Sequence, residues 1–158
     1  MVYINIPLLI IKVEVSVMKK IEWRDDFLIG IEEIDEQHRS LVAKLNGLID
    51  KYQTEPDELR AVMDFLIDYV LMHFETEEKY MKKYGYPGLA EQIMEHREFT
   101  KELNKIVDQF MLEGPSDEIE QKIEKGLIRW VEHHIMNVDR KFGLWLKERS
   151  DIRGEDKA

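Results

Sequence analysis

The sequence predicts an all-α protein that folds as an up-down-up-down four-helix bundle. Four long stretches carry apolar residues three or four positions apart, the spacing that keeps one face of a helix buried. Short runs that contain proline separate the stretches, so consecutive helices should reverse direction. Four of the five histidines fall on these apolar faces, one in each predicted helix. These histidines are the first candidates for a functional site.

Length and composition limit the classes of protein to consider. A chain of 158 residues fits one domain with a core of its own. Because there is no cysteine, disulfides, zinc–thiolate sites and iron–sulfur clusters are excluded, and the composition suits the reducing cytoplasm, where we expect the protein. The net charge of -10 repels phosphate backbones and anionic lipids. We therefore expect neither nucleic acid nor a membrane as a partner.

The first seventeen residues differ from the rest of the chain. They are rich in isoleucine and valine, but the longest apolar stretch, residues 6–11, is broken by Lys12 and Glu14 and is too short to cross a membrane. A basic start and a small-residue cleavage site are missing, which argues against a signal peptide. Met18 resembles a second start. We interpret residues 1–17 as an appendage that is either disordered or forms a strand at an edge.

The first two helices are each marked by an apolar stripe and by residues suited to a helix start. Gly30 and Asp35 introduce the first stripe, which consists of Ile34, Leu41, Leu45, Leu48 and Tyr52. Pro56 stands at the expected start of the second helix, where its missing N–H has no cost. The second stripe consists of Leu59, Val62, Leu66, Tyr69, Tyr80 and Tyr84. The Gly-Tyr-Pro-Gly run at residues 85–88 should end this helix.

The remaining two helices follow the same pattern. The third stripe consists of Leu89, Ile93, Phe99, Leu103, Ile106 and Phe110. A Gly-Pro-Ser run ends it, and Ser116 is suited to cap the fourth helix. The fourth stripe consists of Ile119, Ile123, Leu127, Trp130, Val138, Phe142 and Leu146. Polar residues follow, so we place the bundle at residues 18–148 and a polar tail at 149–158.

The four histidines should meet at one level of the bundle. They are His38, His73, His96 and His134. Any one of them alone would be compatible with an ordinary core histidine that has one hydrogen-bond partner. With helices that alternate in direction, however, all four fall within about 14 Å along the axis, which side chains can close. This indicates a common site. His133 points about 100° away from its neighbour and is expected at the surface.

Two carboxylates are candidates to join the histidines. Glu77 follows His73 by four residues, so the two side chains stack on one helix face. A carboxylate buried there needs a cation, a proton or several donors. Glu75 and Glu78 are expected to face solvent instead.

Asp139 is harder to place, because it follows His134 by five residues and lies about 140° away on a regular α-helix. Spacing alone indicates a surface acid beside Arg140. Asp139 can reach the histidines only through a π-bulge, which aligns residues five apart, or by approaching from the flank.

Imidazole and carboxylate together suit zinc, iron, copper or nickel. At least five inward ligands exceed the four that a closed structural zinc site needs, which favours two metal ions that share a carboxylate. The paired Glu-x-x-His motifs of ferritin-like bundles and the His-Glu-x-x-His motif of zinc proteases are both absent from the sequence. The prediction is therefore a metal site in the bundle core, rich in histidine and poor in carboxylate.

Specific motifs support this interpretation. They are Ile-Glu-Trp at 21–23, Gly-Ile at 30–31, Ile-Asp-Glu-Gln-His at 34–38, His-Phe-Glu-Thr-Glu-Glu-Lys-Tyr-Met at 73–81, and Trp130 with His-Ile-Met-Asn-Val-Asp at 134–139. Each motif is weak alone, but together they are specific: over residues 20–147 the chain resembles hemerythrins, in particular bacterial single-domain ones.

The resemblance implies two iron ions (Fe²⁺/Fe³⁺) joined by a bridging oxo or hydroxo group. Their implied ligands are His38, His73, Glu77, His96, His134 and Asp139. The two carboxylates would bridge the irons, the first two histidines would bind one iron, and the last two would bind the other. In this family the iron pair binds dioxygen.

One position departs from the family pattern. The family has two histidines four residues apart after the Tyr-Pro turn, and here Gln92 stands where the first should be. Gln92 shares the inward face with His96, so it could supply an amide oxygen as a weak ligand. A neutral amide is a poorer donor to iron than imidazole.

Reversible oxygen binding, for storage, delivery or sensing, is the expected function, and we do not expect an enzyme. Residues placed beside the ligands by helical spacing could line an oxygen pocket: Leu41, Phe74, Trp130, Val131, Ile135 and Val138. Because of Gln92, a redox, oxygen or nitric-oxide sensor and a peroxidase-like enzyme are the alternatives. A bundle that uses the metal only as a structural staple would need fewer ligands. Any signalling or electron-transfer protein partner is left open.

Overall fold

The computed structural model describes residues 2–6, 9–13, 18–54 and 58–155. Before the bundle, β1 (Val2–Ile6) and β2 (Leu9–Val13) form an antiparallel hairpin. The segment expected to be an appendage thus contains two strands that pair with each other, and its independence from the bundle stays a prediction.

The bundle itself is all-helical, as predicted. Its elements are a 3₁₀ turn (Asp25–Phe27), α1 (Glu32–Thr54), α2 (Leu59–Tyr84), α3 (Leu89–Glu113), α4 (Asp117–Lys122), a π-helical segment π1 (Ile123–Ile128), α5 (Arg129–His134), a second π-helical segment π2 (Ile135–Asp139) and α6 (Arg140–Glu155). The last five follow one another without a break and together form the fourth helix. None of the described helices is long and apolar enough to cross a membrane.

The helix ends follow the predicted punctuation where the structure describes them. Gly85 ends α2 in the left-handed conformation, with φ of 69°, which a residue without a Cβ adopts easily. Ser116 caps α4, because its hydroxyl accepts a hydrogen bond from the Ile119 backbone N–H at 3.3 Å. Pro56 lies outside the described residues. The fourth helix extends to Glu155, so the expected polar tail is helical over most of its length.

The loop before α1 is held tightly against the bundle. The buried Asp35 carboxylate accepts hydrogen bonds from the backbone N–H groups of Ile29 (2.7 Å) and Gly30 (3.1 Å). Gly143 of α6 lies so close to this loop that a Cβ built on it would be 2.2 Å from the Ile29 carbonyl oxygen. Phe27, fully buried next to the loop, directs its carbonyl oxygen at His38. The loop therefore helps to orient the first histidine of the site.

Candidate metal centre

The structure brings the six predicted ligand residues together in the core. They form two overlapping groups that could each hold a metal ion, one with His38 and His73 and the other with His96 and His134. Glu77 and Asp139 belong to both groups, and within each group the candidate ligand atoms lie within 4.8 Å of one another. All six residues are at most 2% exposed. This is the arrangement expected of two ions that share two carboxylates.

Glu77 lies between three of the histidines. Its Oε1 is 3.3 Å from Nε2 of both His38 and His73. Its Oε2 is 3.1 Å from Nε2 of His96, on the other side. One carboxylate therefore presents an oxygen to each group.

Asp139 reaches the site because the helix is π-helical there. The segment π2, Ile135–Asp139, begins directly after His134 and aligns residues five apart. Asp139 Oδ1 consequently lies 3.1 Å from His134 Nε2, while Oδ2 lies 3.5 Å from His38 Nε2. Of the two routes left open by the sequence, the structure shows the π-helical one, and the surface position beside Arg140 is not the one observed.

Without metal, protons occupy part of this site. Burial lowers the pKa of His38, but hydrogen bonds and charges from Asp139 and Glu77 outweigh it and raise the pKa to about 10. Burial likewise opposes protonation of His134, and the charge of Asp139 raises its pKa to about 9. Burial lowers the pKa of His73. Burial raises the pKa of Asp139, but the charge of His134 and hydrogen bonds from the neighbouring histidines outweigh it, so the pKa lies well below the usual value.

Even so, the site is not fully satisfied by its own residues. Within the described part of the chain, Oε2 of Glu77 and Oδ2 of Asp139 are buried and face imidazole nitrogens at 3.1 and 3.5 Å without hydrogen-bond geometry, and Oε1 of Gln92 is buried without a hydrogen-bond partner. Three orphaned oxygens in one core are costly unless something binds them. A pair of cations among the histidines would satisfy the two carboxylates, so the residues fit the metal centre that the sequence predicts.

Each histidine is also held from behind through its Nδ1–H. His38 donates to the Phe27 carbonyl oxygen at 3.2 Å, and His73 donates to Oε1 of Gln37 at 2.9 Å. These acceptors cannot donate, so a proton sits on Nδ1, and in the neutral ring Nε2 is the nitrogen that can bind a metal at the centre.

The other two histidines donate to carboxylates. His96 donates to Glu78 at 2.8 Å, and His134 donates to Glu95 at 2.9 Å. Glu78 was expected to face solvent, but only 32% of its side chain is exposed, and Glu95 was not singled out by the sequence at all. Both contacts cross between helices, which periodicity within one helix does not reveal.

Gln92 faces inward, as predicted, and is 1% exposed. Its Nε2 donates to Oδ1 of Asp139 at 3.1 Å, the same oxygen that approaches His134. Gln92 therefore borders the group that contains His96 and His134. His133, by contrast, is exposed and hydrogen-bonds Asn137, as expected for a surface histidine.

Aromatic rings cover the same side of the centre. Phe74 stacks on the His96 imidazole at 3.9 Å between ring centroids, and Trp130 stacks on His134 at 4.3 Å. Leu41, Val131 and Ile135 are buried in the same core cluster, whereas Val138 is only partly buried. These residues form an apolar wall, and their role as an oxygen pocket stays a prediction.

Comparison with known proteins places the chain in a family. A sequence model described as the hemerythrin HHE cation binding domain matches residues 29–146, which includes every residue of the candidate centre. The chain belongs to the hemerythrin family. This confirms the resemblance inferred from the motifs.

Relatives and a solved structure agree with this membership. The bacteriohemerythrin of Stenotrophomonas maltophilia (strain R551-3) is 31% identical over 131 residues, which cover 82% of this chain and 84% of that protein. The bacteriohemerythrin of Pseudomonas aeruginosa (strain PAO1) is 34% identical and covers 77% of this chain and 78% of that protein. A crystal structure of wild-type hemerythrin is similar with a TM-score of 0.70 and 29% identity, covering 78% of this chain and 95% of that one. This hemerythrin chain thus spans most of the length of each.

Proposed function

We propose that this hemerythrin is a non-haem di-iron protein that binds dioxygen reversibly, for storage, delivery or sensing, rather than an enzyme. The observation that carries the proposal is the pair of overlapping groups that share Glu77 and Asp139 in a closed core. The names of the relatives support the choice of iron and oxygen over other metals and ligands. We further propose the cytoplasm as its location.

In this proposal, His38 and His73 would hold one iron, His96 and His134 would hold the other, and both irons would share Glu77 and Asp139. A reduced iron pair would supply two electrons that dioxygen can accept and return. An oxo or hydroxo bridge would complete the pair.

The protein's own contribution is to fix four imidazoles and to exclude water. The Nδ1–H bonds fix the ring orientations, and ligands held in this way bind a metal more tightly. The fully buried carboxylates offset the charge of the ions, and the apolar wall around Phe74 and Trp130 limits access of water to that side. Such protection is what reversible binding needs, because water and protons favour irreversible oxidation.

The experiment is anaerobic reconstitution with ferrous iron, followed by the absorption spectrum on adding oxygen and its reversal under vacuum. Two irons per chain and a reversible spectrum are expected. One tightly held iron that excess metal does not increase, or a spectrum that vacuum does not reverse, would refute reversible di-iron binding.

A second candidate function rests on Gln92. If its amide is a weak or absent ligand, the iron held by His96 and His134 keeps a position open to water or another small molecule. A groove of about 680 Å³ between α2 and α3 has Phe74, His96 and Glu78 among its lining residues, so the outer edge of the apolar wall borders a space that is open to solvent. These observations favour a redox or nitric-oxide sensor, or a peroxidase-like reaction, as the alternative.

The substitution Gln92→His tests the alternative. The new imidazole would lie one turn before His96 on the same face and could fill the open position. Decay of the oxygen adduct after stopped-flow mixing should then be slower than in the parent. Equal decay in both proteins would show that Gln92 does not control the lifetime of the adduct, and the alternative would lose its main support.

A further inference from the structure

The outer hydrogen bonds divide the four histidines into two kinds. His38 and His73 donate to neutral oxygens, a backbone carbonyl and the amide of Gln37. His96 and His134 donate to carboxylates at 2.8 and 2.9 Å. The division coincides with the two candidate metal positions, and the carboxylate-backed position is the one that Gln92 borders.

A carboxylate acceptor changes an imidazole more than a neutral acceptor does. Hydrogen bonds to charged groups are about twice as strong as those between neutral groups, so the proton on Nδ1 is drawn further towards the acceptor. The ring gains electron density, which makes Nε2 a stronger donor to a cation. A stronger Nε2 donor should stabilise a trivalent ion more than a divalent one. The carboxylate acceptor should therefore favour the oxidised state of the metal.

The two carboxylates are also placed to act across helices. Glu78 on α2 holds the His96 ring of α3, and Glu95 on α3 holds the His134 ring at the end of α5. About a third of each carboxylate-bearing side chain is exposed, 32% and 35%, so each charge is stabilised by solvent without a buried cation.

We propose that Glu78 and Glu95 are positioning residues that compensate for the imidazole missing at Gln92, by strengthening His96 and His134 as donors to the second metal ion. This inference rests on the proposed di-iron centre. It goes beyond that proposal because it assigns an unequal role to the two positions. Each position has two imidazoles, and the position that has lost one relative to the family pattern has the more electron-rich pair.

The test is to titrate metal-free protein with Co²⁺, which reports its own coordination by absorption, and to compare Glu78→Gln and Glu95→Gln with the parent. Glutamine keeps the size and the acceptor but removes the charge. Loss of an outer hydrogen-bond partner typically lowers metal affinity 10- to 100-fold. We name the equivalent that His96 and His134 would hold the second and the one that His38 and His73 would hold the first, and we expect each variant to bind the second about tenfold more weakly and the first unchanged.

Two control variants remove the same charge without touching a ligand. Glu75 and Glu98 are exposed residues of α2 and α3, and Glu75→Gln and Glu98→Gln should leave both affinities unchanged. A gain-of-function control is Gln37→Glu, which gives His73 a carboxylate acceptor and should tighten the first equivalent. Circular dichroism of each metal-free variant checks that the helices are intact.

A second readout separates donor strength from mere helix tethering. In iron-loaded protein, the midpoint potential should rise in Glu78→Gln and Glu95→Gln, because the oxidised state loses more than the reduced state. A tether alone would not move the potential in that direction.

The outcomes distinguish the inference from the proposed function. If the parent binds two ions and the variants change neither the second affinity nor the potential, the inference is wrong and the di-iron proposal stands. If the parent binds one ion, the di-iron proposal is wrong. In that case the role of the two carboxylates is supported only if Glu78→Gln weakens binding of the single ion. If Gln37→Glu changes the affinity of that ion and Glu78→Gln does not, the inference is overturned.

Discussion

Metal binding should release protons from this core, and the number follows from the titration of its histidines. The raised pKa values of about 10 for His38 and about 9 for His134 mean that both are imidazolium at pH 7.5 in the metal-free protein. Glu77 and Asp139 have lowered pKa values and carry no proton to lose. Since only neutral imidazole binds a metal, loading the centre should release about two protons per chain, one from each metal position.

The same linkage sets the pH dependence of metal affinity. Each ion competes with one proton, so its apparent affinity should rise about tenfold for each pH unit between pH 7 and 8. The rise should end for the His134 position near pH 9 and for the His38 position near pH 10. The two metal positions therefore differ in the pH at which proton competition ends.

The assay is isothermal titration calorimetry with Zn²⁺, which avoids redox chemistry, in buffers that differ in ionisation enthalpy. The slope of the observed enthalpy against the buffer's ionisation enthalpy gives the number of protons released. His133→Ala is the matched control, because this exposed histidine is outside the centre and its removal should leave the number at about two. Release of less than one proton per chain at pH 7.5 would show that the imidazoles are neutral before metal binds, and would refute the reasoning.

Protonated histidines, buried carboxylates and the close approach at Gly143 each contribute to the stability of the fold. The melting temperature of the metal-free protein should fall as pH rises from about 6.5 to 10. His38 and His134 bind protons more tightly in the folded state, and the stabilisation from those protons is lost as the two histidines titrate. A constant melting temperature over this range would contradict the prediction. Glu77→Gln should lower the free energy of unfolding of the metal-free protein in urea by about 3–5 kcal/mol, because it breaks a fully buried charge cluster. Gln92→Ala should lower it by about 1–3 kcal/mol and should lose less metal than Glu77→Gln. Equal metal content in the two variants would argue against Glu77 as the bridge. Gly143→Ala should destabilise the fold by about 1–3 kcal/mol, because the new Cβ would collide with the Ile29 carbonyl oxygen. The control Gly47→Ala, on an open part of α1, should be neutral or stabilising. Equal effects of the two substitutions would show that the contact at Gly143 does not limit which side chain fits there.

The sequence predicted the bundle because its signals are local and repeated. Apolar spacing of three and four, the Gly-Tyr-Pro-Gly turn at 85–88 and the Ser116 cap each act within one or two helical turns. The shared level of four histidines also followed from helix lengths alone. Glu77 could be placed because a regular helix aligns residues four apart.

The rest depended on contacts that no single helix encodes. Asp139 needed a π-helical segment, and whether such a segment forms depends on tertiary packing and on the polar groups it satisfies. Spacing alone therefore favoured a surface acid. Glu78 and Glu95 were missed for a similar reason, since each binds a histidine of another helix and the register between helices decides which carboxylate reaches it.

The measurement that tests the central claim most directly is diffraction from crystals of the iron-loaded protein at wavelengths on both sides of the iron absorption edge. The account predicts two anomalous peaks in the core of each chain. One should lie against Nε2 of His38 and the other against Nε2 of His96, with oxygens of Glu77 and Asp139 in contact with both. A single peak, or two peaks of which Glu77 touches only one, would contradict it.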